Sequence, residues 1–448
     1  MTIVPIGKLV LQEVKGQERE EYLHELVEEM RGAVKTVVTR CIEAELEREV
    51  TQALKRKAHG RSKKVDGKLD GPAKCGKCGD QRVSRFWRNG HYRRGLDTSW
   101  GHLTIAMPQV RCRCGGSVRL NWRTIQPGQR IWDDLCWEMQ AEYGWGLSLR
   151  WIKAKEDQKL GGSLGLRTIN ERVHQVGQGL EAWRQQAPSH FPAVVEVDGV
   201  WLTMMKRTTE KRKDRAGRLR SVKMGQRYVV LFARGWWPNT GKRKLLTWLV
   251  AEKEDEASWG DLLFAVKQLH LRSTGRWDLL IGDGAGGLEA ARKTYCPDVP
   301  LQRCVFHKLR NILRDLIPPD DLDRQASRAF RRTILDEARI IWQADCEPQA
   351  WLRFHAFCNK WKDSQSKAVR TLQRDFERTL VFYHVHAQAV RRGEDWPLSA
   401  LRTTSHLERE NRNFRRRFRQ AVLFHSQQGL EAAVFQNHSL RETLPSTS

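Results

Sequence analysis

Between Pro192 and Val305 the chain sets out secondary-structure signals in an order that few folds accept. Apolar, β-branched runs at Ala193–Met205, Tyr228–Arg234 and Leu245–Ala251 read as three strands. A helical stretch at Asp261–His270 follows, then a strand at Trp277–Ile281, a helix after Gly286 and a short strand within Pro300–Val305. Three strands, a helix, a fourth strand and a fifth make an α/β domain.

Two of these strands carry a carboxylate where chemistry would want one. Asp198 sits inside VVEVDGVW, flanked by apolar residues that would bury it, and Asp283 closes WDLLIGDG where glycine-rich backbone turns toward a helix. Carboxylates near the ends of adjacent strands are placed to share hard cations, which take oxygen ligands. Two Mg2+ or Mn2+ ions so held activate a nucleophile and stabilise the leaving oxygen of a phosphodiester. An Asp-Gly also makes an ordinary turn, so on residue type alone both readings stand.

The charge balance points to the substrate. Lys and Arg number 79 against 53 Asp and Glu, a formal net charge of +26. Such an excess favours a polyanion, because each phosphate contact releases condensed counterions. Two runs concentrate it: Lys206–Arg227, between the first two strands, and Arg409–Arg419, which includes Arg409, Arg412, Arg415 and Arg416. Either is a solvated face or a grip on a phosphate backbone. The N-terminus lacks the apolar core of a secretory signal, and no stretch is apolar for long enough to span a bilayer. A cytoplasmic, nucleoid-associated protein with no membrane partner is the expectation, with its ten cysteines reduced or bound to metal.

Upstream, residues 20–55 read as helix and Lys55–Pro72 as a basic linker. Cys75-x-x-Cys78 and Cys112-x-Cys114, each beside glycines, suit one structural Zn2+ in a closed four-thiolate site; four free buried thiols are the alternative. Between the pairs, HLTIAM alternates like a strand, giving a zinc-ribbon-like β-rich module. Farther on, LSLRWIKAK and LRTINERVH flank Gly161, Gly162 and Ser163 as two helices. Leu166, Ile169 and Val173 share one face of the second, which leaves Arg167 and Asn170 outward, residue types that read purine edges. Helices joined by glycines also make an ordinary hairpin.

One segment, IGDGAGGLEAARKTYCPDVPLQRCVFHKLRN, resembles the signature of the Mutator-like bacterial insertion-sequence transposases, in which Asp-Gly after a strand precedes a helix and then Gln-x-Cys-x-x-His. Here those residues are Asp283, Gly284, Gln302, Cys304 and His307, with Arg310 and Asn311 behind. The resemblance extends to EVDGVW, to NGHYRRGLDTSWGHLTIAMPQVRC and to TTSHLERENRN, where Ser405 replaces the family's Asn, and covers about residues 80–435. It implies a ribonuclease-H-like domain with a DDE triad and selects Glu408, rather than Glu410, as the third acid. It also implies a helical insertion between the second Asp and the Glu, matching the helical composition of residues 320–400. Cys304 and His307 supply too few ligands for a metal site of their own and read as supporting the catalytic centre. Trp342, Trp351 and Trp361 in the insertion either stack on a base or fill core.

The organisation that follows is a helical segment and linker over 1–72, a zinc-ribbon-like module over 73–122 and a helix-turn-helix region over 123–190. A ribonuclease-H-like core over 191–319, the insertion over 320–400 and a catalytic helix and tail over 401–448 complete it. The expected activity is metal-dependent strand cleavage and transfer at terminal inverted repeats. Its partners would be double-stranded DNA, as transposon ends and target, and further copies of the chain in a homodimer or higher oligomer. The alternative is a catalytically silent, transposase-derived DNA-binding regulator.

Overall fold

A computed structural model describes residues 17–60, 67–69, 73–162, 164–213, 215–420, 424 and 426–443. It is mixed α/β and divides into two compact units: the residues up to Tyr143 with Leu149–Val173, and Gly144–Ser148 with the residues from His174 onward. No helix among the described residues is long and apolar enough to cross a membrane.

The first unit begins with a long helix, α1 (Gln17–Ala53). Strands β1 (Phe86–Thr98), β2 (Gly101–Cys112) and β3 (Ser117–Val118) form an antiparallel sheet in chain order. Along β2 every second residue, Leu103, Ile105 and Met107, is buried against Ile42 and Leu46 of α1. The alternation leaves His102 and Thr104 on the other face to solvent and ends at Met107, where Pro108 is buried as well. Helices α2 (Asp133–Trp145), α3 (Leu149–Leu160) and α4 (Leu166–His174) follow, and most of each belongs to this unit. Half of the linker, residues 61–66 and 70–72, and Ser163 lie outside the described residues.

After the short helix α5 (Leu180–Gln185), the second unit is built on a five-stranded sheet. Its strands are β4 (Val194–Lys213), β5 (Leu219–Trp237), β6 (Lys242–Ala251), β7 (Leu279–Gly282) and β8 (Leu301–Arg303), in the order β6-β5-β4-β7-β8. The first three pair antiparallel, whereas β7 and β8 add parallel to β4, reached by helices α6 (Glu256–Leu271) and α7 (Gly286–Tyr295). Period-two alternation buries both faces. Val195 and Val197 pack with Trp259, Leu262 and Leu288 of α6 and α7, while Val194, Leu279 and Ile281 pack against the helices that follow β8. Every strand expected from the sequence is present. The difference lies in length: β4 and β5 continue through the basic run as a two-stranded ribbon, Lys206 opposite Met224 and Lys213 opposite Leu219. Backbone pairing carries it where side-chain burial does not.

Helices α8 (Val305–Asp315), α9 (Arg324–Ile341), α10 (Glu347–Trp361), α11 (Ser366–Gln373), α12 (Val381–Arg391) and α13 (Leu398–Leu401) form the insertion and its approach. Its core contains Trp342, whose Nε1 donates to Thr379 Oγ1 at 2.8 Å. Trp351 sits edge-on to Phe376, and Trp361 donates to Glu337 at 2.9 Å. The core-filling reading of these tryptophans is the one the packing supports. Helix α14 (Ser405–Gln420) then returns to the sheet, with Phe414 edge-on to Phe232, and α15 (Gln427–Thr443) ends the described chain.

Candidate functional site

Asp198 and Asp283 meet because β4 and β7 run parallel. Glu196 lies opposite Ile281, and two more steps of that register bring Asp198 level with Asp283, just past the end of β7. The turn after β7 leaves little choice of residue. Gly284 has φ +86°, and a Cβ there would lie 2.7 Å from Arg303 Nε. Ala285 N donates back to Asp283 Oδ1 at 2.9 Å.

The third acid arrives on α14. Glu408 lies in its first turn, and Asn411, one turn on and buried, donates from Nδ2 to Asp198 Oδ2 at 2.6 Å. His307, in the first turn of α8, places Nε2 3.2 Å from Glu408 Oε1 and 3.9 Å from Asp198 Oδ1. Cys304, the residue capping α8, is fully buried and accepts from the Thr404 amide at 3.3 Å and hydroxyl at 3.2 Å. These bonds tie the start of α8 to the start of α14. The structure places Cys304 at the junction of α8 and α14 and His307 beside Glu408 and Asp198. Burial raises the Cys304 thiol to about 11, and its Sγ lies close enough to His307 and Glu408 for the three to form a group able to hold a metal ion.

The acids are held under electrostatic pressure. Burial, then the charge of Asp198, pushes Glu408 up to about 7, while Arg310, Arg415 and Arg412 pull the other way. Asp198 is raised by burial first, with His307 and Asn411 opposing and Asp283 adding to it. Glu408 Oε1 is buried and, despite His307 nearby, has no hydrogen bond of acceptable geometry. An unpaired buried acceptor beside other carboxylates is costly without a cation. The carboxylate oxygens of Asp198, Asp283 and Glu408 suit a hard divalent ion, with His307 Nε2 as a neighbouring nitrogen donor.

Glu410 lies elsewhere. It pairs with Arg234 of β5, next to a fully buried Glu196 whose Oε1 is 3.6 Å from Arg243 Nε. Arg412 and Arg415 are exposed on the carboxylate side of α14, whereas Arg409 acts on His406, which burial, Arg243 and Arg409 push down to about 4. Arg416 falls within α14, but its side chain is outside those described. Sequence reasoning missed two neighbours. Glu254, past the end of β6, accepts from Trp201 Nε1 at 2.9 Å and is raised by burial and then by Asp283. No local motif marks it. Asn411 stood within the C-terminal motif without a role.

In the first unit the four cysteines converge. Sγ atoms of Cys75 and Cys114 lie 3.4 Å apart, Cys78 and Cys114 3.4 Å, and Cys78 and Cys112 3.7 Å. Tetrahedral thiolates at about 2.3 Å from one Zn2+ stand roughly 3.8 Å from each other, so the cluster has nearly the right size. Backbone donation from Cys78, the largest influence, draws the Cys75 thiol down to about 6. Gly116 shows how tightly the turn is drawn, since a Cβ there would sit 2.5 Å from Cys75 Sγ.

The helix pair α3–α4 buries Ile152, Leu160, Ile169 and Val173, while Gly161 and Gly162 make the break at φ +68° and +83°. Leu166, expected on the buried face, is exposed at the start of α4. Arg167 and Asn170 both face outward, Arg167 bridged to Glu171 at 2.8 Å.

An acidic cluster built from Asp198 within β4, Asp283 just past the parallel β7 and Glu408 on a helix, edged by arginines in a strongly basic chain, is the layout of enzymes that process nucleic acid. More particularly, the chain belongs to the Mutator family of transposases, whose model matches residues 8–438. It is 27% identical over 334 residues to the transposase for insertion sequence element ISRM5 of Rhizobium meliloti, covering 74% of this chain and 73% of that one. The transposase for element IS406 of Burkholderia multivorans is 28% identical over 76% of this chain and 77% of its own. Among solved structures, the Drosophila P element transposase strand transfer complex is similar at 9% identity and a TM-score of 0.27, over 69% of this chain and 78% of that one. That score is too low to bear on the fold.

Proposed function

We propose that the second unit is a ribonuclease-H-like catalytic domain in which Asp198, Asp283 and Glu408 hold two Mg2+ or Mn2+ ions and act on phosphodiesters of DNA. The observation that carries this is the convergence of Asp198, within β4, and Asp283, just past β7, with a helix-borne glutamate whose buried Oε1 lacks a hydrogen bond. The sheet order β6-β5-β4-β7-β8, three strands antiparallel and two parallel, supports the fold reading. Bound there, the ions would supply Lewis-acid activation of the attacking oxygen and charge neutralisation at the leaving 3′ oxygen.

The chain's own groups do the rest. Asn411 fixes one lobe of the Asp198 carboxylate, leaving Oδ1 to face the site. His307 lies between Asp198 and Glu408 and offsets part of their mutual repulsion when protonated. Arg412 and Arg415 lie where a DNA backbone beside the acids would pass, with Arg409 and Arg416 continuing the basic helix. Water attacks the phosphodiester at a transposon end, and the P–O bond to the 3′ oxygen breaks, leaving a 3′-OH and a 5′-phosphate. That hydroxyl then attacks a target phosphodiester, forming one bond and freeing one target 3′-OH.

In the first unit the four cysteines would bind one structural Zn2+, and the helix pair, through Arg167 and Asn170, would read base edges of the terminal inverted repeats. The β4–β5 ribbon would grip the backbone. It sets Arg207 opposite Lys223 and Arg212 opposite Arg220, concentrating positive charge along the ribbon, with Glu210 at 2.8 Å from Arg212. The test is cleavage of DNA carrying the element's own ends, with and without Mg2+ or Mn2+. Metal-dependent nicking at the repeat boundary supports the reading. Tight, specific binding with no cleavage in either metal would mark a silent DNA-binding regulator instead.

A further inference from the structure

Helix α1 is 37 residues long, yet the sheet beside it uses only its C-terminal half. There Ile42, Leu46 and Val50 are buried as one stripe. A second apolar stripe begins in the N-terminal half and is left largely exposed among the described residues, with Val34 half-buried. Leu23, Val27, Met30, Val34, Val37 and Cys41 follow one another at alternating steps of four and three. At 100° per residue all six fall within about 40° of a single line, turned roughly 140° from the buried stripe. Leu23 is 45%, Val27 42%, Met30 60% and Val37 60% exposed, and Cys41 is exposed as well. A solvated helix has no reason to keep a straight apolar line, whereas alternating steps of four and three are the heptad signature of helix pairing.

We propose that this stripe is the seam of a parallel two-stranded coiled coil formed with α1 of a second copy of the chain. With Val27 and Val34 at the a positions and Leu23 and Met30 at d, the first heptads carry β-branched a and unbranched or Leu d residues, the choice that favours two parallel strands, and Val37 at d departs from it. Charge agrees with that orientation. Arg31 falls at e, beside the seam. Antiparallel overlap of the stripe would turn about its midpoint, near Gly32, and set Arg31 against the partner's Arg31, a pair of like charges. Parallel register sets it instead against the partner's Leu26, at g, over which its methylene stem lies while the guanidinium stays in water. Within one chain Arg31 reaches Glu28 at 2.5 Å, but both are more than half exposed, and such a pair holds Arg31 only weakly. Gly32 falls at the outer f position, where a Cβ would meet nothing within 4 Å, so it leaves the seam undisturbed. A seam of fewer than three full heptads associates weakly alone, which makes the dimer concentration-dependent. The inference does not depend on which residues catalyse.

Cys41 gives the direct test. At an a position of a parallel, in-register pair the two Cys41 side chains face each other, while an antiparallel pairing parts them by more than 25 Å at about 1.5 Å per residue. Full-length, zinc-loaded protein with Cys346→Ser, which removes another exposed thiol, is treated with copper–phenanthroline in air. Each pair of thiols gives up two protons and two electrons to oxygen as the disulfide forms. A covalent dimer that disappears in Cys41→Ser is expected. Sedimentation equilibrium of the reduced protein should show a dimer whose dissociation constant rises at least tenfold in Val34→Glu, with circular dichroism unchanged. A monomer across the micromolar range, a dimer that does not cross-link through Cys41, or one indifferent to Val34→Glu overturns the proposal. None of these results touches metal-dependent cleavage, which is measured separately.

Discussion

Replacing Asn411 with Leu, close to it in volume, should move the acid limb of the cleavage reaction toward alkaline pH. Asn411 Nδ2 donates at 2.6 Å to a buried Asp198, a bond to a charged acceptor worth about 1.5–3 kcal/mol. One pKa unit is about 1.4 kcal/mol, so losing the bond raises Asp198 by a further one to two units or so. Burial already holds that group above the ordinary aspartate value, and Asn411 is among the groups that oppose the rise. Only the ionised carboxylate holds a cation, so activity should fall toward acid pH and recover on an alkaline plateau. Stability follows the same sign. A carboxylate with a folded-state pKa above its unfolded one favours folding in acid and loses that contribution as pH rises through its folded value. Metal-free Asn411→Leu should therefore match the parent in acid and melt lower at neutral pH. The assay is initial cleavage rate at saturating DNA and metal across pH. A uniform loss at every pH, with the acid limb unmoved, would make Asn411 a packing residue and undo the role given to Asp198.

Arg234→Met and Glu410→Gln should each cost about 2–3 kcal/mol of stability, and the double variant little more than either, because the partly buried pair is broken by the first change; additive losses in denaturant titration would show that the two are not coupled. Purified protein should carry about one zinc per chain, and Gly116→Ala should release it as fully as Cys112→Ser, since the added Cβ meets Cys75 Sγ at 2.5 Å; metal analysis finding zinc retained in Gly116→Ala would contradict the cluster geometry. Arg167→Ala or Asn170→Ala should cost about 1–3 kcal/mol on the element's ends and little on random DNA. By contrast, Arg207→Ala or Arg212→Ala in the ribbon should weaken both DNAs alike and flatten the salt dependence by about one unit of slope per contact; equal losses on both DNAs for Arg167→Ala would make α3–α4 a structural hairpin.

Much of the second unit was legible in the sequence because its sheet is buried on both faces. Uninterrupted apolar runs then mark strands such as β7, and the alternation of Val194 with Val195 marks β4. The ribbon was not legible beyond Met205. There pairing rests on backbone hydrogen bonds between exposed strands, which leave no hydrophobic period to read. Glu408 could be preferred to Glu410 only through resemblance, since both lie on one polar helix. What separates them is tertiary: Arg234, on a strand far off in sequence, pairs with Glu410. Glu254 escaped notice for the same reason, as its proximity to Asp283 comes from strand order and not from spacing. In the first unit the cysteine pairs announced themselves, but the departure of Leu166 from the buried face shows that helical period alone does not fix where a helix begins to pack.

The catalytic site stands or falls most directly on the identity of the third carboxylate. Glu408→Ala and Glu410→Ala should be compared for Mn2+ binding by calorimetry and for cleavage of end-bearing DNA, with DNA affinity measured alongside. Glu408→Ala should lose metal binding and cleavage as completely as the change of all three acids together, while still binding DNA. Glu410→Ala should keep its metal and lose only stability. Retained cleavage in Glu408→Ala, with cleavage lost in Glu410→Ala, would contradict the site.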